Sequence, residues 1–248
     1  MPSKNKRIRV MAGPNGSGKS TLINRIKNKF FCGPFVNADL IERSFSEKGL
    51  LNLADFDLDL TKKSFDHFIK NEGASWMGKA DDANTDVSIV FSNNNLIVNN
   101  PNAYDAAIAA DYVRYQLLDA NSTFTFETVL SHSSKIDFLE AARVKGYKTY
   151  LYFVCTVSPT INKKRVKQRA NLGGHDVPEE KIVKRYYESL SLLPRLIPVT
   201  YRCFLFDNSV AGNEIDLVAE IESGKKLTVH TQDVPWWITE YVFDNLFK

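Results

Sequence analysis

The run Arg7-Ile-Arg-Val-Met-Ala-Gly13-Pro-Asn-Gly-Ser-Gly18-Lys19-Ser20-Thr21 decides how the rest of the chain is read. Arg7 to Ala12 is short and largely apolar, as a buried strand requires, and it opens into a glycine-rich loop. Beyond the loop, Leu22, Ile23, Ile26 and Phe30 recur at three- and four-residue spacing, the period of an amphipathic helix. Gly13-x-x-x-x-Gly18-Lys19-Ser20 fits the phosphate-binding loop pattern at every position. Glycines let the backbone curl until successive N–H groups point at phosphate oxygens, and the helix N-terminus adds its positive end. Lys19 is expected to reach the β- and γ-phosphates of ATP, and Ser20 to ligate Mg²⁺. Gly13, Pro14, Asn15, Gly16, Ser17, Gly18 and Thr21 complete the expected nucleotide-binding set.

Working outward, Phe35 to Asp39 reads as a second strand leading into a helix. Thr123–Thr128, Tyr147–Val157 and Tyr201–Phe206 read as further strands, and the unbroken apolar run of 147–157 suits a sheet covered on both faces. Helical patterns fall at Pro101–Asn121, Ser134–Lys145, Thr160–Asn171 and Pro178–Leu193. Such alternation predicts an α/β fold: a doubly wound, mostly parallel sheet of the P-loop NTPase, kinase-like type with helices on both faces. Residues 1–248 are expected to form a single domain. Residues 48–100 read as an insertion, with eight acidic against four basic residues between Asp55 and Asp86. Within it, Val87–Phe91 and Leu96–Val98 suggest a hairpin. Residues 210–248 read as a C-terminal extension, a hairpin turning at Ser223-Gly-Lys followed by a helix. There Trp236 and Trp237 are expected in the core.

Composition narrows the class. The chain has 248 residues, 44% of them hydrophobic, with 32 basic against 29 acidic side chains. A net charge of +3 is too even to argue for nucleic acid as a partner. Cys32, Cys155 and Cys203 are widely spaced and contain no C-x-x-C pair, so neither a disulfide framework nor a zinc site is expected. No signal-peptide h-region and no membrane-length apolar run occurs, which predicts a cytoplasmic protein without membrane contact.

The loop leaves open which phosphate chemistry follows. No N-K-x-D guanine motif and no L-S-G-G-Q signature is present. The best fit to a metal-binding strand end is Cys203-Phe-Leu-Phe-Asp207, where Asp207 and Asn208 either lie near the adenine or cap a turn. Asp39, at the end of the second strand, is positioned either to accept the proton of an attacking hydroxyl or to cap the next helix. Glu127 ends another strand and is either a group for a substrate hydroxyl or for a role near the metal, or a surface glutamate that follows a strand. Between Lys163 and Arg185 lie eight basic residues. Arg165 and Arg169 share a helix face, and the two basic helices around Gly173-Gly174 suggest a segment that closes over ATP.

Taken together, Gly13–Thr21, Val36-Asn-Ala-Asp39, Phe126-Glu-Thr-Val-Leu-Ser131, Gly146-Tyr147, Arg165-Val-x-x-Arg169, Gly173-Gly-His-Asp-Val-Pro178 and Arg185-Tyr resemble the zeta toxin family of P-loop kinases and its free-standing relatives. The resemblance covers residues 7–46 and 103–209. It implies ATP- and Mg²⁺-dependent phosphorylation of a hydroxyl on a small acceptor, in the toxin branch the 3′-hydroxyl of the amino sugar in UDP-N-acetylglucosamine. Lys19 then matches the phosphate-binding lysine, Asp39 the general base, Glu127 with Thr128 the substrate-binding segment, and Arg169 a catalytic phosphate-binding arginine. His175, Arg165 and Arg185 compete for a second arginine role, Arg165 on the nucleotide side and the other two on the substrate side. The insertion is longer than the family pattern, and no antitoxin segment is evident, so a toxin would need a separate neutralising protein. Two other readings stay open: a nucleotide-gated ATPase whose acidic insertion contacts a protein partner, and a kinase of nucleic-acid ends.

Overall fold

The computed structural model describes residues 6–174, 176–210, 212 and 214–247. In chain order the strands are β1 (Arg7–Ala12), β2 (Phe35–Val36), β3 (Leu50–Asn52), β4 (Val90–Ser92), β5 (Asn95–Ile97), β6 (Phe124–Thr128), β7 (Lys148–Cys155), β8 (Arg202–Asp207), β9 (Asp216–Glu222) and β10 (Lys226–Val229). The main helices are α1 (Lys19–Lys27), α2 (Ala38–Lys48), α3 (Lys62–Lys70), α4 (Ala74–Asp82), α5 (Ala103–Asp119), α6 (Ser134–Val144), α7 (Pro159–Asn171) and α8 (Glu179–Ser191). They fall into two compact units, one of Gly33–Phe126 and one joining Met1–Cys32 to Glu127–Lys248.

In the second of these, β1 pairs in parallel with β7 from Arg7/Lys148 to Ala12/Phe153, and β7 pairs in parallel with β8 from Tyr150/Arg202 to Cys155/Asp207. β9 then runs antiparallel to β8, and β10 antiparallel to β9. Ile8, Val10, Met11 and Ala12 of β1 and Leu151, Phe153, Val154 and Cys155 of β7 are wholly inaccessible. Consecutive residues of a strand face opposite sides, so both faces are covered there, as the apolar runs require. The α/β, mostly parallel architecture expected from the sequence is the one observed. Its functional consequence lies in polarity: β1, β7 and β8 all end at one edge. Gly13, Thr156 and Asn208 leave the sheet side by side there.

The C-terminal hairpin turns at Ser223 and Gly224, whose φ values of 51° and 67° match a type I′ turn. Trp237 is fully buried and its indole Nε1 donates to Asp207 Oδ2 at 3.0 Å. Trp236 departs from the expected core position. It is 37% exposed and held by its own indole N–H, which donates to the Val157 carbonyl.

In the Gly33–Phe126 unit, β2 runs parallel to β6, Val36 opposite Phe126, and leads directly into α2. A separate small sheet has the order β3-β5-β4, all antiparallel. Its β4–β5 turn places Asn93 and Asn94 at φ 47° and 57°, and β4 is shorter than the sequence pattern suggests. Phe65 and Phe68 of α3 pack on Tyr112 of α5. α5 opens with a capping box between Asn102 and Asp105 and buries three charged residues, Asp105, Asp111 and Arg114. Arg114 pairs with Asp111 and lies over the Phe126 ring, while the Trp76 indole N–H also donates to Asp111.

Candidate functional site

Between β1 and α1 the chain makes the tight loop its glycines allow. Gly13 sits at φ 137° and Gly18, the residue before α1, at φ 105°, both in the left-handed region that side chains disfavour. A Cβ on Gly13 would lie 2.0 Å from the Val154 carbonyl oxygen, and one on Gly18 would lie 2.2 Å from Asn208 Nδ2. Substitution is thus barred twice, by conformation and by space. The Ser17 hydroxyl is fully buried and has no hydrogen-bond partner among the described residues. A loop that holds a buried polar group without a partner offers it to something else.

Lys19 opens α1 and folds back over this loop. Its Nζ donates to the carbonyls of Gly13 at 2.9 Å and Pro14 at 3.1 Å, and stands 3.6 Å from Glu127 Oε1. A lysine only 6% exposed needs such partners, since a buried ammonium is costly unless paired and hydrogen-bonded. Ser20 and Thr21 follow on the exposed first turn of the helix, where hydroxyls remain open to a ligand.

Neighbouring segments grip the loop from outside. Asn162 of α7, itself fully buried, donates from Nδ2 to the Asn15 carbonyl at 2.6 Å and accepts from the Thr156 hydroxyl. Asn208, just past β8, donates from Nδ2 to the Ser17 carbonyl at 2.7 Å. Arg165 Nη1 donates to the Asn208 carbonyl at 2.8 Å, and Arg185 Nη1 reaches Asn15 Oδ1 at 3.5 Å. Beneath them the Tyr186 hydroxyl donates to the Thr156 carbonyl, and burial raises its pKa. Burial also pushes the Cys155 thiol up to about 12, which makes it a packing residue rather than a nucleophile.

Asp207 resolves toward the turn. Its Oδ1 accepts from Ser209 N at 2.9 Å while Oδ2 takes the Trp237 indole, so the side chain caps the end of β8. Glu127 and Thr128 close β6, and Thr128 Oγ1 accepts from Leu130 N. Leu130, 1% exposed, holds φ 59°, a strained conformation for a bulky residue, immediately after this segment.

Of the predicted site residues, the structure gathers Gly13 to Ser20, Glu127, Arg165 and Arg185 around one loop. Arg169 lies a turn beyond Arg165 at the exposed end of α7, packed against Gly174, whose N–H donates to the Arg169 carbonyl. Asp39 belongs to the Gly33–Phe126 unit, exposed in the first turn of α2. It is not the helix cap; Asn37 is, accepting from Leu40 N at 3.1 Å. His175 lies outside the described residues. Sequence reading missed Asn162 altogether and left Asn208 between two roles. Among the described residues no group of three or more His, Cys, Asp or Glu side chains is arranged to hold a metal, and no helix is long and apolar enough to cross a membrane.

No family model matches the sequence, and neither does any curated protein. Solved structures match the fold. The AvrRxo1-ORF1:ORF2 complex in its native form superposes with a TM-score of 0.57 at 16% identity, over 98% of this chain and 66% of that one. The same complex with ATP gives 0.57 at 15% identity, over 92% and 61%. With sulphate ions it gives 0.56 at 14%, again over 92% and 61%. The chain thus spans about three fifths of the length of the structures first matched, and at these identities the likeness is one of fold.

Proposed function

We propose that this chain is an ATP-dependent phosphotransferase of the zeta toxin type, acting on a hydroxyl of a small polar acceptor such as UDP-N-acetylglucosamine. One observation carries the reading: Lys19 lies buried across the carbonyls of Gly13 and Pro14 in the glycine loop, within 3.6 Å of Glu127. This joins a donor-side cation to an acceptor-side carboxylate. The AvrRxo1-ORF1:ORF2 structure that contains ATP supports a nucleotide role for this fold.

The residues fit ATP. Loop N–H groups and the start of α1 take the phosphate oxygens, and the Ser17 hydroxyl gains its missing partner. Lys19 exchanges its loop carbonyls for the γ-phosphate and neutralises charge that spreads over the transferring group. Glu127, released from Lys19, orients the acceptor by accepting a hydrogen bond from another of its hydroxyls, with Thr128 beside it. Asp39 takes the hydroxyl proton as the new oxygen–phosphorus bond forms and the bond to ADP breaks. Arg185 and Arg169 hold the phosphoryl oxygens, while Arg165 fixes the nucleotide side through Asn208. The Ser20 hydroxyl would hold Mg²⁺, which would supply charge neutralisation; such an ion commonly takes few protein ligands. A separate neutralising protein is proposed as a partner, since the matched fold was crystallised as a two-protein complex.

The test is transfer of the γ-phosphate from ATP to UDP-N-acetylglucosamine, with Asp39→Asn alongside. Transfer by the parent and a loss of two orders of magnitude or more in the variant support the reading. Undiminished transfer by the variant removes Asp39 as the base, and an inert parent removes this acceptor.

A further inference from the structure

We infer that Asn162 and Asn208 are positioning residues that turn the phosphate loop's N–H groups inward before any nucleotide arrives. The inference rests on the phosphotransferase reading and deepens it, by saying what makes the loop competent.

In a planar trans peptide the C=O and the following N–H point in opposite directions, so fixing one fixes the other. The Asn15 carbonyl is held by Asn162 Nδ2 at 2.6 Å, which sends the Gly16 N–H the other way. The Ser17 carbonyl is held by Asn208 Nδ2 at 2.7 Å, which does the same for the Gly18 N–H. The two peptides before them behave oppositely. The carbonyls of Gly13 and Pro14 face Lys19 Nζ inside the loop. Carbonyls at Asn15 and Ser17 are therefore drawn outward by side chains of other segments, and those at Gly13 and Pro14 inward by the lysine. The outward pull at Asn15 and Ser17 leaves the Gly16 and Gly18 N–H groups aimed where phosphate oxygens would sit.

Both amides are themselves immobilised. Asn162 is fully buried, and its Oδ1 takes the Thr156 hydroxyl, which leaves Nδ2 as the end facing the loop. Asn208 is held through its backbone: its N–H donates to the Cys155 carbonyl at 2.9 Å, and its carbonyl accepts from Arg165. Asn162 is thus a donor with one available orientation, and Asn208 donates from a fixed backbone position. The closeness is what requires glycine at the flanking positions, since a Cβ on Gly16 would meet the Asn162 carbonyl oxygen at 2.6 Å and one on Gly18 would meet Asn208 Nδ2. Loop and clamps form a single fitted unit.

Asn208 is the better position to test, because it is only half-buried and its loss threatens the fold less. Binding of Mg-ATP and of inorganic tripolyphosphate is measured by calorimetry, and the Gly16 and Gly18 amide protons are followed by NMR. Asn208→Leu is expected to weaken both ligands by about tenfold, the worth of one well-placed hydrogen bond, and to abolish the tripolyphosphate-induced shift of the Gly18 amide while leaving that of Gly16. Asn208→Asp cannot donate when ionised. Its affinity relative to the parent is expected to be lowest at pH 8 and to recover as the carboxyl gains a proton toward pH 4. A merely structural role would not move with that protonation. Parent-like affinity and a parent-like Gly18 shift in Asn208→Leu overturn the clamp while leaving the phosphotransferase reading standing. A parent that binds neither ligand overturns both.

Discussion

Lys19 Nζ stands 3.6 Å from Glu127 Oε1, with both side chains almost wholly out of solvent. A buried pair of this kind contributes little by itself, yet each partner becomes a liability when the other is removed. On the proposed phosphotransferase reading, Lys19 leaves this pairing when it turns to the γ-phosphate.

Removing the carboxylate should expose this coupling. Glu127→Gln takes the carboxylate charge away from a buried ammonium and is expected to lower unfolding stability by about 1–3 kcal/mol in urea. Lys19→Met in the same background should recover most of that loss. Strict additivity of the two changes in a double-mutant cycle would show that the pair does not interact.

Glycine substitutions separate conformational strain from collision. Gly13 and Gly146 both have positive φ, at 137° and 81°, but a Cβ on Gly146 meets nothing within 4 Å while one on Gly13 strikes the Val154 carbonyl. Gly146→Ala is expected to cost about 1 kcal/mol, and Gly13→Ala about 3 kcal/mol or more together with loss of ATP binding. Equal losses in chemical denaturation would contradict the close approach of loop and β7.

Asp105 gives a pH dependence of definite sign. Desolvation raises its carboxyl pKa above the ordinary value, although Ser88 N and Asn102 N donate to it. The folded state therefore holds this proton to higher pH than the unfolded chain does. Across that window the native state binds more protons, so stability falls as pH rises. Relative to Asp105→Asn, the parent should lose stability between the unfolded carboxyl pKa near 4 and neutrality. A flat difference over that range would mean the carboxylate is not penalised.

The cysteines should be silent. Cys155 and Cys203 are wholly inaccessible, and burial pushes both thiols well above their ordinary range. Neither is expected to react with a thiol reagent at pH 8 in the folded protein, whereas both should react after denaturation. Rapid labelling of the native chain would show that β7 and β8 open readily.

Much of this was legible because it is local. The strand–loop–helix of 7–27 is written in consecutive residues, the apolar run of β7 states its own burial, and Ser223-Gly224 marks its turn. The clamps were not legible, since Asn162 and Asn208 find their partners 147 and 191 residues away and carry no periodic signal. α5 misleads in another way: Asp111 and Arg114 look like surface residues, but they pair with one another inside the helix packing. The small sheet was half visible. The β4–β5 turn shows in the sequence, whereas β3, the three residues Leu50–Asn52, shows only in its pairing with β5. Asp39 illustrates a third case, in which spacing allowed two roles and the structure assigned one of them, the cap, to Asn37.

A structure with a non-hydrolysable ATP analogue and Mg²⁺ tests the central claim most directly. The expected result has Lys19 Nζ withdrawn from the Gly13 and Pro14 carbonyls and bonded to the γ-phosphate, with Glu127 released toward the acceptor side. An analogue bound elsewhere, or bound here with Lys19 still on Glu127, would contradict it.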